Sequence, residues 1–367
     1  MAAQARGTDP RAELLAMVRL ATDRFAKLSK GIEAYHSHPY CRDMPLPQTL
    51  WRGPGLRLLD YGLSGHSKAL PLLIVPSVIN RHYILDLRAG QSFVRWLAGA
   101  GLRPLVVAWD DLQASADTAT IDGCVLNALE PALAETRKLF GKAPLVLGYC
   151  LGGLLALALA HRLPDEIRGL VFMATPWDFH VGGSGLSRTA HQASMMMEPL
   201  LSSLGALPID AVQTLFYSLD PFHVVEKFIE FADIDPTSEH AKAFVALEDW
   251  LNDGLAMPAA IARTLLGEWY ATNTPATGAW KVSGQAIRPS EVQHQSLVLV
   301  PTQDRIVPPL SAQALGAALP RATTLLVESG HIGMVSSRRA EQMVWAPLLQ
   351  WINQTFVHPS GSGSSLG

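Results

Sequence analysis

A cysteine, an aspartate and a histidine carry the chemistry this sequence offers. Cys150 lies in Gly148-Tyr149-Cys150-Leu151-Gly152, a G-x-C-x-G pattern. An apolar run, Pro144 to Leu147, precedes it, and a helix-like stretch, Leu151 to His161, follows it. No residues remain for a loop, so the chain turns sharply at the cysteine. A nucleophile on such a turn sits in strained backbone. Only glycine fits two residues to either side, where strand and helix crowd the turn. The helix N-terminus offers free N–H groups that favour a thiolate or an oxyanion. The competing reading is a tight turn around an inert, buried cysteine. Context separates the two.

That context is the order Cys150, Asp304, His331. Asp304 lies in Thr302-Gln303-Asp304-Arg305-Ile306-Val307-Pro308-Pro309, after the apolar run Ser296 to Pro301. His331 lies in Glu328-Ser329-Gly330-His331-Ile332-Gly333, after the run Thr323 to Val327. In this arrangement the imidazole takes the thiol proton and later activates a second nucleophile. The carboxylate fixes the imidazole tautomer and stabilises its cationic form. An oxyanion needs two N–H donors, one from the residue after the nucleophile and one from an earlier strand-end loop. Leu151 and Val78 are the candidates, Val78 within one residue. Taken singly, His331 could be a loop histidine bonded to backbone, and Asp304 a turn cap. Asp178 is a rival acid, since it also ends a strand, but a loop-entry cap is its simpler use. Three such residues in this order at three strand ends favour the catalytic reading.

The elements that must position these residues alternate. Pro71 to Pro76, Pro104 to Trp109, Pro144 to Leu147, Arg168 to Ala174, Ser296 to Pro301 and Thr323 to Val327 are short apolar runs that read as buried strands. Leu56 to Tyr61 reads as an earlier one. Helical patterns lie at Leu87 to Ala100, Thr120 to Leu139, Leu151 to His161, Ser311 to Ala318 and Arg339 to Phe356. This is an α/β pattern, a mostly parallel sheet with helices on both faces. Chemistry in such sheets collects at the carboxyl ends of the strands. From Gly182 to Gln285 the alternation stops and helical, irregular sequence takes over, which reads as an inserted cap. Met195-Met196-Met197 within it reads as adaptable packing, with a channel for a flexible acyl chain as the other use. Arg11 to Tyr35 reads as an amphipathic helix and His36 to Thr49 as an irregular connection. The expected organisation is a helical extension (1–50), a first core part (51–181), a helical cap (182–285), a second core part (286–356) and a disordered tail (357–367).

Composition narrows the class. The 367 residues are 49% hydrophobic and 17% charged, which fits a packed globular chain and excludes a disordered one. A formal net charge of −3 gives no electrostatic case for nucleic acid. No apolar run reaches the roughly 18 residues of a membrane span. No signal-peptide pattern opens the chain, so a cytoplasmic location is the expectation. Cys41, Cys124 and Cys150 lack C-x-x-C spacing, so no metal site is expected.

The chain also resembles a known family, the polyhydroxyalkanoate synthases. These are α/β-hydrolase-fold enzymes whose lipase-like box carries cysteine. The resemblance rests on residues 72–87, 92–97 and 148–153, on Ala174-Thr175-Pro176-Trp177-Asp178-Phe179, on Trp250-Leu251-Asn252-Asp253-Gly254, on 304–309 and on 330–333. It implies the α/β-hydrolase fold, with Cys150, Asp304 and His331 as the triad and no cofactor. The implied substrate is a 3-hydroxyacyl-CoA thioester, the product a polyester, and the location the polyester granule surface. It implies a partner too, either a second copy or a second synthase subunit, since in length the chain is closest to the short synthases. Three features depart from the family. Leu151 stands where synthases usually carry Gln. Trp109-Asp110-Asp111-Leu112 stands where they usually carry Asn-Pro or Pro-Asp. The long N-terminal domain of the larger synthases is missing. Two other functions share part of this pattern: a cysteine hydrolase with water as acceptor (thioesterase or polyester depolymerase), and a non-enzymatic granule-associated subunit.

Overall fold

The computed structural model describes residues 10–63, 69–181, 184–219 and 221–358. Of the tail expected to be disordered (357–367), the residues from 359 lie outside these, as do residues 1–9, whereas Val357 ends the helical turn Asn353–Val357. Eight strands form the main sheet among the described residues: β1 (Gln48–Gly53), β2 (Leu56–Asp60), β3 (Leu70–Val75), β4 (Leu102–Trp109), β5 (Leu145–Tyr149), β6 (Gly169–Met173), β7 (Ser296–Pro301) and β8 (Ala322–Val327). Their spatial order is β1-β2-β4-β3-β5-β6-β7-β8. From β4 to β8 every neighbouring pair is parallel, whereas β1 and β2 run antiparallel at one edge. Central strands β3, β5, β6 and β7 are buried almost throughout, as continuous apolar runs covered on both faces require.

Two local readings are corrected. The irregular connection expected through Thr49 gives way to β1, because Gln48–Gly53 pairs with β2 across the turn at Gly55, whose φ is +67°. The helix expected from Leu87 starts only at Phe93. Asp86–Arg88 and Gln91–Ser92 form a small hairpin around Gly90, at φ +75°. Ser92 then caps the helix Phe93–Gly99 by accepting from the Arg95 amide at 3.1 Å. Buried Asp86 ties this corner together. It accepts from Ser92 Oγ at 2.6 Å and from Arg95 Nε at 2.8 Å.

The chain forms two compact units. One holds the N-terminal segment through Arg42 together with Leu215–Asp249, and the other holds Asp43–Thr214 and the chain from Trp250 onward. In the first unit the helix Pro10–His36 crosses Pro221–Phe231 at Gly31. Phe231 stacks on Phe244 with centroids 4.2 Å apart, and Lys227 bonds buried Glu248 at 2.7 Å. Leu14, Leu15, Val18, Leu20 and Phe25 of the first helix are exposed, so its spacing is helical but this stripe is not core. In the second unit, Met195 and Met196 are 59% and 76% exposed and only Met197 is partly buried, so two of the three methionines are not packing. Three consecutive residues of a helix fan around its axis and cannot share one buried face.

A Cβ added at Gly31 would lie 1.8 Å from the carbonyl oxygen of Phe228. Gly31→Ala is therefore expected to destabilise the protein by about 1–3 kcal/mol, as overpacking against fixed backbone does. Urea denaturation checks this. A midpoint equal to the parent's would show that the helices can part at no cost.

Candidate active site

The turn at Cys150 is as sharp as its sequence requires. Strand β5 ends at Tyr149, and the helix Leu151–Arg162 begins one residue after the cysteine. Cys150 itself has φ 55° and ψ −128°, backbone that a side chain rarely adopts. Close backbone approach holds it there. A Cβ at Gly148 would lie 2.3 Å from Gly153 Cα, and one at Gly152 would lie 2.0 Å from the Val75 carbonyl. The Cys150 amide donates to Met173 O at 2.9 Å, which ties the turn to β6. Of the three cysteines, Cys41 is exposed and Cys124 is buried, its thiol pushed up to about 12 by burial. Cys150 is half-buried, at the N-terminus of a twelve-residue helix.

Asp304 and His331 meet beside it. Asp304 follows β7 and His331 follows β8, the next strand in the sheet. His331 Nδ1 bonds Asp304 Oδ2 at 2.6 Å, and both side chains are buried. The other carboxylate oxygen accepts from the amides of Ile306 at 2.8 Å and Val307 at 2.9 Å. Asp304 is thus bonded through both oxygens, which fixes the plane of its carboxylate. Burial alone would lower the His331 pKa. The negative charge of Cys150, hydrogen bonds to Asp304 and Cys150, and the charge of Asp304 outweigh it and raise the pKa to about 10. The imidazole is therefore bonded to the carboxylate through Nδ1 and close enough to Cys150 to feel its charge.

Asp178 does not join them. Its Oδ1 accepts from the His180 amide at 2.9 Å and from Asn273 Nδ2 at 2.8 Å, so it closes a loop. Leu151 stands at the first turn of the helix after Cys150, and Val78 in the loop after β3. Gly152 brings these two segments into contact, because a side chain there would strike the backbone of Val75 and Pro76. Among the described residues, no cluster of three or more His, Cys, Asp or Glu could hold a metal ion. No described helix is long and apolar enough to cross a membrane.

Sequence reasoning missed several residues around the site. The Val78 loop is clamped from a distant stretch of chain. Trp250 Nε1 donates to Arg81 O at 2.7 Å, Arg81 Nε bonds Asp253 Oδ1 at 2.7 Å, and Asn80 bridges to Gly254. Trp250 to Gly254 was legible only as a stretch of family resemblance, with no role attached. Tyr270 also lies near the chemistry. Burial and the charges of Cys150 and Asp304 raise its pKa above the ordinary phenol range. Tyr149, next to the nucleophile, packs on His331 itself with ring centroids 5.4 Å apart.

Comparison with known proteins bears on the fold and the family. Residues 115–337 match the family described as alpha/beta hydrolase fold, and residues 48–97 match the N-terminus of poly-beta-hydroxybutyrate polymerase (PhaC). The poly(3-hydroxyalkanoate) polymerase subunit PhaC of Thiocystis violacea is 28% identical over 290 residues, covering 77% of this chain and 81% of that protein. The subunit of the same name from Allochromatium vinosum is 26% identical over 292 residues, covering 78% and 82%. Among solved structures, BpoC from Mycobacterium tuberculosis H37Rv superposes with a TM-score of 0.53 at 16% identity, covering 83% of this chain and 97% of that one. That likeness speaks for the fold alone. Sheet order, the turn at Cys150 and the 115–337 match together mean that the chain belongs to the α/β-hydrolase fold family, and in sequence its relatives are the poly(3-hydroxyalkanoate) polymerases.

Proposed function

We propose that the chain is an acyltransferase that builds a polyester from 3-hydroxyacyl-CoA through a covalent Cys150 acyl-enzyme. One observation carries this reading: a cysteine held in strained backbone, beside a buried and hydrogen-bonded His331–Asp304 pair, in a chain related to polyester polymerases. Cys150 Sγ attacks the thioester carbonyl carbon, and a C–S bond forms as the carbonyl becomes an oxyanion. Collapse breaks the bond to coenzyme A, whose sulfur leaves with the proton that His331 took from Cys150. The 3-hydroxyl of another acyl unit then gives its proton to His331 and attacks the acyl-enzyme. The ester C–O bond forms, and Cys150 leaves with that proton. Asp304 keeps the imidazole in one tautomer and balances its charge in both halves.

The amides of Leu151 and Val78 are the proposed oxyanion donors. Ile79 is the poorer alternative to Val78, because its amide already donates to Ser77 Oγ at 3.2 Å. Trp109 Nε1 donates to Pro76 O at 3.1 Å and steadies the same loop. In this reading residues 182–285 form the cap, and Tyr270 and Asn273 bring it to the Asp178 loop. Phe179 donates its amide to Asn273 Oδ1 at 3.0 Å, and His180 Nε2 bonds Tyr270 O at 3.1 Å. Cysteine suits the chemistry. A thiolate is a better nucleophile than a hydroxyl near neutral pH, and its acyl-enzyme keeps thioester reactivity for an alcohol acceptor.

Incubation with 3-hydroxybutyryl-CoA tests the proposal by following thiol release and product together. Coenzyme A release with chain growth is expected. Free hydroxy acid without chain growth would instead make the protein a hydrolase, and no release with Cys150 intact would remove both. Cys150→Ser is expected to cut turnover at least about a hundredfold, because His331 must then ionise a far weaker acid. Near-parental turnover would point to another nucleophile.

A pH prediction follows from the raised His331 pKa. Its folded value lies above 6.5, so the stability it contributes is full below about pH 6.5 and is lost as pH rises through about 10. Cys150→Ala removes both the charge and the hydrogen bond of Cys150 but leaves the burial. The His331 pKa should then fall, and the loss of stability should begin at lower pH. NMR titration of labelled histidine reads the first, and urea midpoints across pH read the second. An unchanged His331 titration in the variant would separate the two side chains.

A further inference from the structure

We propose that Tyr149 is a positioning residue for His331, holding both the loop that carries the imidazole and the plane of its ring. The inference rests on the acyl-transfer reading above. Asp304 restrains the imidazole at Nδ1 only, through one 2.6 Å bond. A single bond leaves the ring free to pivot about that contact, and Nε2 on its far side would sweep across the thiol. Tyr149 removes that freedom in two ways. Its ring stacks on the imidazole at 5.4 Å between centroids and 30° between planes. Its hydroxyl donates to the backbone carbonyl of His331 at 3.0 Å.

The placement makes the coupling direct. Tyr149 is the last residue of β5 and the immediate neighbour of Cys150. It is 4% exposed, so the strand that aims the sulfur also fixes the base that ionises it. Any shift at the end of β5 then carries thiol and imidazole together, which preserves their separation. The loop has other ties, through Gln303 N to Ser329 O at 3.0 Å and Trp345 Nε1 to Met334 O at 2.8 Å. The Tyr149 hydroxyl reaches the His331 main chain itself, from the nucleophile's own strand.

The stack bears on charge as well as position. An aromatic face attracts a cation, so it favours imidazolium over imidazole. The titratable groups around the ring are Cys150, Asp304 and Tyr149, with Tyr270 close to the first two. Tyr149 stays a neutral donor throughout, because burial first, then the charges of Cys150 and Asp304, disfavour its phenolate. A better stabilised imidazolium in turn favours the Cys150 thiolate at a given pH.

Tyr149→Phe keeps the stack and removes the hydroxyl bond, and Tyr149→Leu removes both. Two readouts are taken. One is the pH dependence of iodoacetamide alkylation of Cys150, followed on its own peptide by mass spectrometry because Cys41 is exposed. The other is turnover of 3-hydroxybutyryl-CoA. For Tyr149→Phe, kcat should fall roughly tenfold with KM nearly unchanged, as loss of alignment does. Tyr149→Leu should lose more and should move the alkylation midpoint to higher pH. Tyr149→Phe with parental kcat, or Tyr149→Leu with a parental alkylation midpoint, would overturn the proposal. So would a loss of kcat in Tyr149→Phe that matches its loss of folded protein. Should Tyr149→Leu fail to fold, Tyr149→Phe alone decides. Alkylation needs no acyl substrate, so a wild-type enzyme that releases no coenzyme A would sink the acyl-transfer reading while the midpoints still judge Tyr149.

Discussion

The site depends on one constraint, the contact of bare backbone around Cys150. Three chain segments converge there; Gly148 and Gly152 meet bare backbone, and Gly153 meets the side chain of Thr175. Gly148 lies against Gly153, Gly152 against Val75 and Pro76, and Gly153 against Thr175. The contacts explain how the cysteine can keep a φ of 55°. Strain of this kind persists only where surrounding structure over-determines it. They also set distances elsewhere. Because Gly152 touches the end of β3, the Val78 loop must lie beside the helix N-terminus. Because the cysteine amide bonds Met173 O, the turn is also fixed to β6.

From that fixed point the remaining groups are reached through the sheet. Parallel strands deliver all their carboxyl ends to one edge, so loops far apart in sequence become neighbours. Asp304 and His331 are adjacent because β7 and β8 are adjacent and in register, Pro301 opposite Val327. The Asp304–His331 bond is then short and buried, and Ile306 and Val307 hold the carboxylate in place. A buried charge without such partners would be costly, and here each charged atom has one.

Much of this was legible in the sequence, for a physical reason. Cys150, Asp304 and His331 sit at strand ends, and buried parallel strands announce themselves as apolar runs. The glycines announce the turn because nothing else fits there. What was not legible depends on contacts between segments whose own patterns say nothing of each other. Trp250 and Asp253 grip Arg81 across 169 and 172 residues, and no local periodicity encodes that. Tyr149 reads only as a variable position of the G-x-C-x-G turn, although its hydroxyl reaches His331. The short hairpin at Asp86–Ser92 was hidden for the opposite reason. Its apolar spacing suits a helix, and the turn at Gly90 overrides it.

In the proposed reaction, the departures from the synthase pattern fall where the side chain is not used. Leu151 replaces the usual Gln, but the proposed contribution of that residue to the oxyanion is its backbone amide, which every residue except proline supplies. Its side chain is buried, so the change alters packing beside the thiol and not the donor. At Trp109-Asp110-Asp111-Leu112 the indole bonds Pro76 O, Asp110 pairs with Arg57 at 2.8 Å, and Asp111 accepts from the Gln113 amide at 2.9 Å. These residues brace the end of β4 and, through Pro76, the loop that presents Val78. A different sequence there can hold the same loop by other bonds. On this argument the two departures bear on how the walls of the site are built, and the sulfur, imidazole and carboxylate keep the same relation to the turn that strains Cys150.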